Sequence, residues 1–326
     1  MELINRIRNT IRRYEMLERG DRVIVCVSGG PDSMFLFRAL FYLKDEFGIR
    51  LFIANLDHGV RGRESHRDSL FVKKLAKDHK LRLFFKKLDF KKYKKLSVEE
   101  TLRLKRYDFF NKTAVKYRIN KIATAHTADD LAETVLMRVI KGSSIKGMIG
   151  ILPKRPAKFA LCIRPLIEIE KNDILNFLNK NKISYRIDRT NFDNNYFRNA
   201  VRNRIMPYLS RYNPQIKRTL VNIAESLRED MEFIEKSKRE RSALIKEGDD
   251  AVKIQIKDIA IQPKAIQKEI LRDALIKIGS NIKKLNFRHW KDMETLIRIK
   301  PTGKSMDLPG GVRISKGKYE MLFKKL

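Results

Sequence analysis

The chain has 326 residues, which is long enough for a hydrophobic core and for two or three domains. Its 72 lysines and arginines exceed its 39 aspartates and glutamates, so the formal net charge is +33 at pH 7. A charge of this size favours a polyanion such as RNA or DNA as partner. No apolar run approaches the ~18 residues of a membrane-spanning helix, and the first residues do not resemble a secretory leader. We therefore expect no membrane partner.

Cysteine and histidine usage excludes several kinds of site. The two cysteines, Cys26 and Cys162, lie far apart and form no Cys-x-x-Cys pair. A disulfide framework, a thiolate zinc site and an iron–sulfur site are therefore not expected. The five histidines have no zinc-ligand spacing. Sparse cysteine usage is typical of the reducing cytoplasm, where we expect this protein to be.

Strand and helix patterns alternate through the first half of the chain. Strands separated by helices of this length form right-handed crossovers, which predicts a doubly wound parallel α/β sheet covered on both faces. Ligands of such sheets bind beyond the carboxyl ends of the strands. The apolar runs that predict strands lie at 23–27, 51–56, 81–85 and 121–125, and the helical patterns lie near 34–40, 64–79, 98–117 and 128–140.

The second half of the chain has a different organisation. A basic helix runs to about residue 208, Asn213-Pro214 indicates a boundary, and a charged amphipathic helix is predicted from about 215 to 246. A small unit with helices, a hairpin and a final strand follows. We predict an α/β domain over 1–212, a helical linker over 213–248 and a small α+β C-terminal domain over 249–326.

The most informative stretch is the turn between the first strand and the next helix. The apolar strand stops at Ser28-Gly29-Gly30, and Pro31 opens the helix, where its fixed φ suits the first turn. Glycines at such a turn let backbone N–H groups approach an anion, and the helix N-terminus favours negative charge. Because no lysine follows the glycines, this is not the Walker loop of phosphate-cleaving ATPases.

The side chains of this turn suit a nucleoside triphosphate bound together with a divalent metal. Ser28, Gly29, Gly30 and Ser33 offer hydrogen-bond donors to phosphate oxygens. Asp32 cannot usefully contact bare phosphate. A Mg²⁺ ion between Asp32 and the triphosphate is therefore expected.

The turn resembles the PP-loop of the ATP pyrophosphatases, which transfer AMP to a substrate and release pyrophosphate. Further motifs resemble those of the tRNA(Ile)-lysidine synthetases: Asp-His-Gly-Val-Arg-Gly, Glu-Thr-Leu-Arg-Leu-Lys-Arg-Tyr, Ala-His-Thr-Ala-Asp-Asp-Leu-Ala-Glu-Thr, and Asp-Arg-Thr-Asn followed by Arg-Asn-Ala-Val-Arg. The PP-loop alone is shared by many AMP-forming enzymes, whereas the ordered set is far more specific. The resemblance spans about residues 20–215, and the remainder suits a short form of the family.

The resemblance implies a fold like that of adenine nucleotide alpha hydrolases and the activity of an ATP-dependent carbon–nitrogen ligase. The wobble cytidine of the CAU-anticodon isoleucine tRNA would be adenylated at its C2 oxygen. The amine of free L-lysine would then displace AMP and leave lysidine. ATP and Mg²⁺ would be the cofactors, with tRNA and lysine as partners. The sequence leaves the oligomeric state undecided, and a homodimer stays open.

Several residues of these motifs acquire candidate roles. His58 is placed to contact adenosine or phosphate, or else to cap its turn. Arg103 suits the charge that develops on departing pyrophosphate, or else lies on a solvated helix face. Asp130 and Glu133 share one helix face, which suits a clamp for a cationic amino acid or an acidic helix start.

The attacking amine must lose a proton before it can react. With an ordinary pKa of ~10.4, about one lysine amine in 2,500 is neutral at pH 7, which costs roughly 4–5 kcal/mol. His126 and the two acids Asp130 and Glu133 are the candidates to receive that proton, and the sequence does not choose among them.

The strong positive charge suits an RNA substrate. Arg198, Arg202 and Arg204 lie on one basic helix and are expected to bind tRNA phosphates. Two alternatives stay open: another PP-loop enzyme such as a tRNA thiolase, and a basic RNA-binding protein without catalysis. The missing Cys-x-x-Cys disfavours the first, and the second leaves Asp32, Asp130 and Glu133 unexplained.

Overall fold

A computed structural model gives the architecture of the chain. The chain divides into two compact units, Met1–Glu225 and Ser226–Leu326. The predicted boundaries at 212 and 248 stay predictions. The residues that the structure describes are 2–57, 63–88, 98–186, 196–248 and 251–326.

The first unit is an α/β structure that ends in a run of helices. Its last helix, Ile216–Arg239, continues into the second unit. Its elements are α1 (Glu2–Arg13), β1 (Arg22–Cys26), α2 (Pro31–Leu43), β2 (Arg50–Asp57), α3 (Arg63–Asp78), β3 (Leu83–Lys87), α4 (Val98–Lys116), β4 (Lys121–Ala123), α5 (Ala128–Ile140), α6 (Ile145–Met148), β5 (Lys154–Pro156), β6 (Leu161–Ile163), α7 (Lys171–Lys180), α8 (Phe197–Ala200), a π-helical turn (Val201–Ile205), α9 (Met206–Ser210) and α10 (Ile216–Arg239).

The strands of the first unit form one sheet in the order β3-β2-β1-β4-β6-β5. All neighbours pair in parallel except the edge strand β5, which is antiparallel to β6. The predicted doubly wound parallel fold is confirmed. Strands β5 and β6 were not predicted, because each has three residues and neither shows a run long enough to indicate a strand.

The core of the first unit lies on both faces of this sheet. Val23 and Val25 of β1 point into a large cluster that includes most of α2. Ile24, between them, belongs to a second cluster with Phe109 and Phe110 of α4. A continuous apolar strand such as β1 is therefore what a sheet covered on both faces requires.

The second unit has its own sheet and core. Its five strands are ordered β7-β8-β11-β10-β9, and every pair is antiparallel. The predicted helix from 215 to 246 is too long, because α10 ends at Arg239 and the strand β7 begins at Ile245. The elements are β7 (Ile245–Glu247), β8 (Ala251–Gln255), α11 (Ile256–Ala260), α12 (Lys264–Lys277), α13 (Phe287–Arg298), β9 (Ser305–Leu308), β10 (Val312–Lys316) and β11 (Glu320–Lys325), with short 3₁₀ turns at Ser242–Leu244 and Ile282–Lys284.

Among the described residues, no helix combines the length and the apolar character that crossing a bilayer requires.

Packing against α2 should dominate the stability of the first unit. Phe35 is fully buried, and its ring meets Phe177 of α7 edge to face at a centroid distance of 5.0 Å. We expect Phe35→Ala to lower the free energy of unfolding by about 3–5 kcal/mol, because it leaves a cavity in the core. Urea denaturation measures this loss. Ile140→Ala removes a half-exposed side chain and should change the free energy by no more than ~0.5 kcal/mol. Equal losses in both variants would contradict the described packing.

Candidate active site

The turn after β1 is shaped to receive an anion. Gly29 has a φ of +93°, a conformation that favours glycine, and Pro31 occupies the first position of α2. The Ser28 backbone N–H donates to Ser33 Oγ at 3.2 Å, and Ser33 Oγ donates to the Gly30 carbonyl at 2.9 Å. These bonds fix the turn, while the first N–H groups of α2 have no partner within the helix. The turn is thus held in one conformation, and its predicted phosphate-binding role stays a prediction.

Asp32 stands in the first turn of α2 in an unusual environment. Its Oδ1 atom is buried and has no hydrogen-bond partner among the described residues, and Oδ2 lies 3.7 Å from Lys171 Nζ. Burial raises the pKa of Asp32 to about 6; Asp130 and Asp129 add to this rise, while Lys171 and Arg202 oppose it. The carboxyl group thus remains ionised at neutral pH but loses its charge at mildly acidic pH.

The N-terminus of α5 holds a second acidic group. Thr127 caps the helix, and its backbone N–H donates to Asp130 Oδ2 at 3.0 Å in a reciprocal capping arrangement. Burial alone would raise the pKa of Asp130, but His126, the Thr127 N–H group, Arg198 and Arg202 together lower it. Asp130 is therefore a stable carboxylate fixed in orientation.

Arg202, on the π-helical turn, joins the two predicted clamp acids. Its Nε donates to Glu133 Oε1 at 2.6 Å, and its Nη2 donates to Glu133 Oε2 at 2.8 Å and to Asp130 Oδ1 at 3.3 Å. Glu133 is almost fully buried, and burial raises its pKa despite the opposing effect of Arg202. Both acids therefore face a cation of the chain itself, and their predicted role as a clamp for an amino acid stays a prediction.

Two further predicted residues lie beside this group. Arg198 Nη2 donates to Thr134 Oγ1 at 2.9 Å, whereas Arg198 Nε is buried without a partner among the described residues. His126 Nδ1 is 3.0 Å from Thr124 Oγ1. Burial lowers the pKa of His126 to about 4, so the imidazole is neutral at pH 7.

Helix α7 contributes a lysine that the sequence motifs did not reveal. The Lys171 backbone N–H donates to Asp129 Oδ2 at 2.7 Å, which fixes the start of α7 against α5. The Lys171 side chain then reaches Asp32, and Lys217 pairs with the other Asp129 oxygen. Neither lysine belongs to a motif quoted above, and the acidic partners lie far away along the chain. No signal in the sequence alone identifies them, because each lysine meets its acidic partner only in the folded chain.

The described contacts bring together some of the predicted site residues and leave others apart. Arg103 on α4 and Arg204 on the π-helical turn are exposed and make no described contact with the acids. His58 lies outside the described residues. The residues that the structure groups are Ser28, Gly29, Gly30, Pro31, Asp32, Ser33, His126, Asp130, Glu133, Arg198 and Arg202.

The donor set at Asp32 fits a Mg²⁺ ion that is shared with a triphosphate. The described residues contain no cluster of three or more metal-ligating side chains, so the protein would supply few ligands. Mg²⁺ is commonly held by one or two carboxylates together with substrate phosphates. The unpartnered, buried Oδ1 of Asp32 is a hard oxygen ligand of this kind.

The chain is similar to a known protein family and to several known proteins. The PP-loop domain family matches residues 3–209. A tRNA(Ile)-lysidine synthase of Clostridioides difficile is 32% identical over 328 residues, covering 98% of this chain and 70% of that protein. One from Clostridium acetobutylicum is 34% identical over 317 residues and covers 95% and 68%. Among solved structures, a U34-tRNA thiolase from Methanococcus maripaludis is similar in fold, with a TM-score of 0.56, 21% identity and coverage of 69% and 77%.

The glycine turn, the acid behind it and the parallel sheet define a nucleotide-binding protein of the PP-loop class. The chain belongs to the tRNA(Ile)-lysidine synthase family and is an ATP-dependent ligase, as its sequence resemblance predicted.

The burial of Asp32 predicts that replacing it by an uncharged residue raises the free energy of unfolding more at neutral pH than at acidic pH. Because the folded-state pKa lies above the ordinary value of 3.8, folding favours the protonated form. The protonated Asp32 side chain therefore adds to the free energy of unfolding. This contribution is complete below pH 3.8 and is lost as the pH rises through about 6. Relative to the parent, Asp32→Asn should therefore gain roughly 1–3 kcal/mol of unfolding free energy between acidic and neutral pH.

Urea denaturation at several pH values measures this difference. Asp45→Asn, which removes an exposed carboxylate just beyond the same helix, is the matched control and should not gain stability in this way. A pH-independent difference between Asp32→Asn and the parent would contradict the described burial.

Proposed function

We propose that the chain ligates L-lysine to C2 of the wobble cytidine in the CAU-anticodon isoleucine tRNA. The observation that carries this proposal is the meeting of Asp32, Asp130 and Glu133 beside the phosphate-binding turn. The turn and Asp32 suit the transfer of AMP, whereas Asp130 and Glu133 suit a cationic amino acid. The names of its family relatives support tRNA as the substrate.

In the first step, the cytidine C2 oxygen would attack the α-phosphorus of ATP, and pyrophosphate would leave. The N–H groups of the turn and the hydroxyls of Ser28 and Ser33 would hold the phosphates. Mg²⁺, when bound, would neutralise triphosphate charge, and Asp32 would hold it through its free oxygen. Lys171 would lie beside these phosphates, because it already reaches Asp32. Arg103 stays a predicted contact for the departing pyrophosphate.

In the second step, the lysine amine would attack C2, and AMP would leave. The ammonium group of lysine would exchange with Arg202 at Glu133 and Asp130, since that guanidinium already satisfies both acids. Glu133 is favoured to receive the amine proton, because burial raises its pKa. Burial holds the pKa of His126 at about 4, and the pKa of Asp130 is also lowered, so both are weaker acceptors.

Arg198, Arg202 and Arg204 were predicted to bind tRNA phosphates. We retain that proposal for Arg204, whose side chain is exposed on the π-helical turn. Arg198 and Arg202 face Thr134 and the two acids, which supports a role closer to the reacting groups.

The C-terminal unit is proposed to bind the body of the tRNA. Lys268 and Arg272 lie 5.5 and 5.2 Å from the ring centre of Trp290, and the exposed Phe287 has Lys291 at 5.8 Å. Aromatic and cationic side chains together suit base stacking and phosphate contact.

Filter binding tests this role of the C-terminal unit. Phe287→Ala combined with Lys291→Ala should weaken tRNA binding about tenfold and leave the KM for ATP unchanged. Unchanged tRNA affinity would contradict the assignment.

Two alternatives make different predictions. A tRNA thiolase would transfer sulfur rather than lysine, and the chain has no Cys-x-x-Cys, with both cysteines free. A non-catalytic RNA-binding protein would release no pyrophosphate from ATP.

We also propose a cytoplasmic location for the protein, because two free thiols suit a reducing compartment.

Incorporation of labelled lysine tests the proposed function. The protein is incubated with ATP, Mg²⁺, labelled lysine and total tRNA, and the tRNA species are then separated. The proposal predicts that label enters one isoleucine isoacceptor and that pyrophosphate is released only when tRNA is present. Label in no tRNA species, or in methionine tRNA as well, would contradict it.

Removal of the Asp32 charge should separate chemistry from tRNA binding. Asp32→Asn is expected to abolish pyrophosphate release, since the carboxylate that would hold Mg²⁺ is lost, while tRNA affinity stays within about twofold. A pyrophosphate assay and filter binding measure the two properties. Normal release by the variant would exclude the metal role.

Glu133 should affect lysine rather than ATP. Glu133→Gln is expected to raise the KM for lysine at least tenfold, because it removes a buried carboxylate from the cation site. The adenylated tRNA intermediate should still form at a near-normal rate in the absence of lysine. A variant that loses adenylation but keeps its lysine KM would move Glu133 to the ATP side of the site.

A further inference from the structure

A basic groove borders the phosphate-binding turn on the α2 face of the sheet. It has a volume of about 790 Å³ and lies between α3 and the segment that follows α7, with Met34 and Arg38 of α2 at its floor. Five cationic side chains and one acid, Asp78, line its described part. The cations are Arg38, Arg67, Lys74, Lys182 and Arg186.

The groove is arranged so that one face of α3 lies along it. Arg67, Phe71 and Lys74 follow one another at spacings of four and three residues, so they share a helix face. Arg67 and Lys74 are exposed, whereas Phe71 is half-buried between them. This face therefore alternates cationic groups with an apolar ring.

Within the described residues, the cations of the groove form no ion pair, in contrast to other cations of the first unit. On α1, Arg6 pairs with Asp173 and Arg8 with Glu46. None of the five groove cations has such a pair within the described part of the chain. Arg38 Nε is moreover buried without a hydrogen-bond partner there. Unpaired cations in a concave surface repel one another and favour a bound anion.

One end of the groove meets the phosphate-binding turn. The Arg186 backbone N–H donates to the Gly29 carbonyl at 2.8 Å. The Arg186 guanidinium lies over the Phe71 ring at 5.3 Å from its centre. A side chain at Gly29 would lie 3.6 Å from Phe71 and 3.7 Å from Arg186. An anionic chain in the groove would therefore arrive directly beside the site of AMP transfer.

We infer that this groove binds the phosphodiester backbone of the RNA substrate next to the nucleotide that is modified. The cations lie on three separate elements, which suits successive phosphates better than one nucleotide. Phe71 and Leu70 offer apolar surface for ribose or base. The inference rests on the proposed function for the identity of the RNA, while the polyanion site follows from the groove itself.

The test compares two double variants of the full chain that remove the same charge. Arg67→Ala with Lys74→Ala removes groove cations, and Lys77→Ala with Lys180→Ala removes exposed lysines of α3 and α7 that do not line the groove. Binding of a tRNA transcript is measured over a salt series, and the KM for ATP is measured by pyrophosphate release. Arg67→Lys with Lys74→Arg keeps the charge and should bind like the parent.

The groove variant should bind tRNA about tenfold more weakly. Its slope of log affinity against log salt should be smaller by about 1.4–1.8, for two lost phosphate contacts. Cognate and non-cognate tRNA should be affected alike, because phosphates carry no sequence information. The KM for ATP should stay within about twofold, and the control pair should keep the parent's slope.

Other outcomes would overturn the inference. Equal slopes in the groove and control variants would mean that only total charge matters. A raised KM for ATP with unchanged tRNA binding would assign the groove to the nucleotide. If the parent makes lysidine but the groove variant binds tRNA normally, the groove assignment fails and the proposed function stands. If the parent incorporates no lysine but the groove variant loses tRNA affinity, the proposed function fails and the polyanion groove stands.

Discussion

The site depends on one guanidinium group, that of Arg202. It bridges Glu133 and Asp130 and thereby ties the π-helical turn at 201–205 to the N-terminus of α5. Removing one partner from a buried ion pair costs about 3–5 kcal/mol, because the other charge is left uncompensated. Single π-helical turns inside α-helices are frequent at functional sites. Here the turn carries the arginine to two acids that lie 69 and 72 residues earlier in the chain.

Around this pair, the site balances acids with cations. Lys171 and Lys217 face Asp32 and Asp129, much as Arg202 faces its two acids. The charge of Asp32 is only partly compensated. Burial raises its pKa, and its Oδ1 atom has no hydrogen-bond partner among the described residues. A group that is poorly satisfied in the protein alone is well suited to hold a ligand. Binding strength and stability are therefore opposed at this residue.

The sequence permits prediction of the features that depend on local pattern. Continuous apolar runs such as 23–27 identify strands that are buried on both faces, and Gly29 and Pro31 identify the turn, because each supplies a backbone conformation that the turn needs. Asp130 and Glu133 could be placed on one helix face from their spacing alone. All of these features require only neighbours along the chain.

The features that escaped prediction depend on contacts across the fold. The three-residue strands β5 and β6 are stabilised by their place at the sheet edge rather than by a pattern of their own. Lys171 reaches Asp32 only because its backbone is bound to Asp129. Arg202 is predicted to bind tRNA because its helix is basic, and that stays a prediction, whereas its pairing with Glu133 requires knowledge of the tertiary structure.

If Arg202 and Glu133 act as one ion-paired unit, a double-mutant cycle on the free energy of unfolding must show strong coupling between them. The cycle compares Arg202→Met, Glu133→Leu and the double variant, which replaces the pair by apolar groups. Each single variant is expected to lose about 3–5 kcal/mol, and the double variant far less than the sum of the two losses. Losses that add within about 0.5 kcal/mol would contradict it, since they would mean that the two charges do not depend on each other.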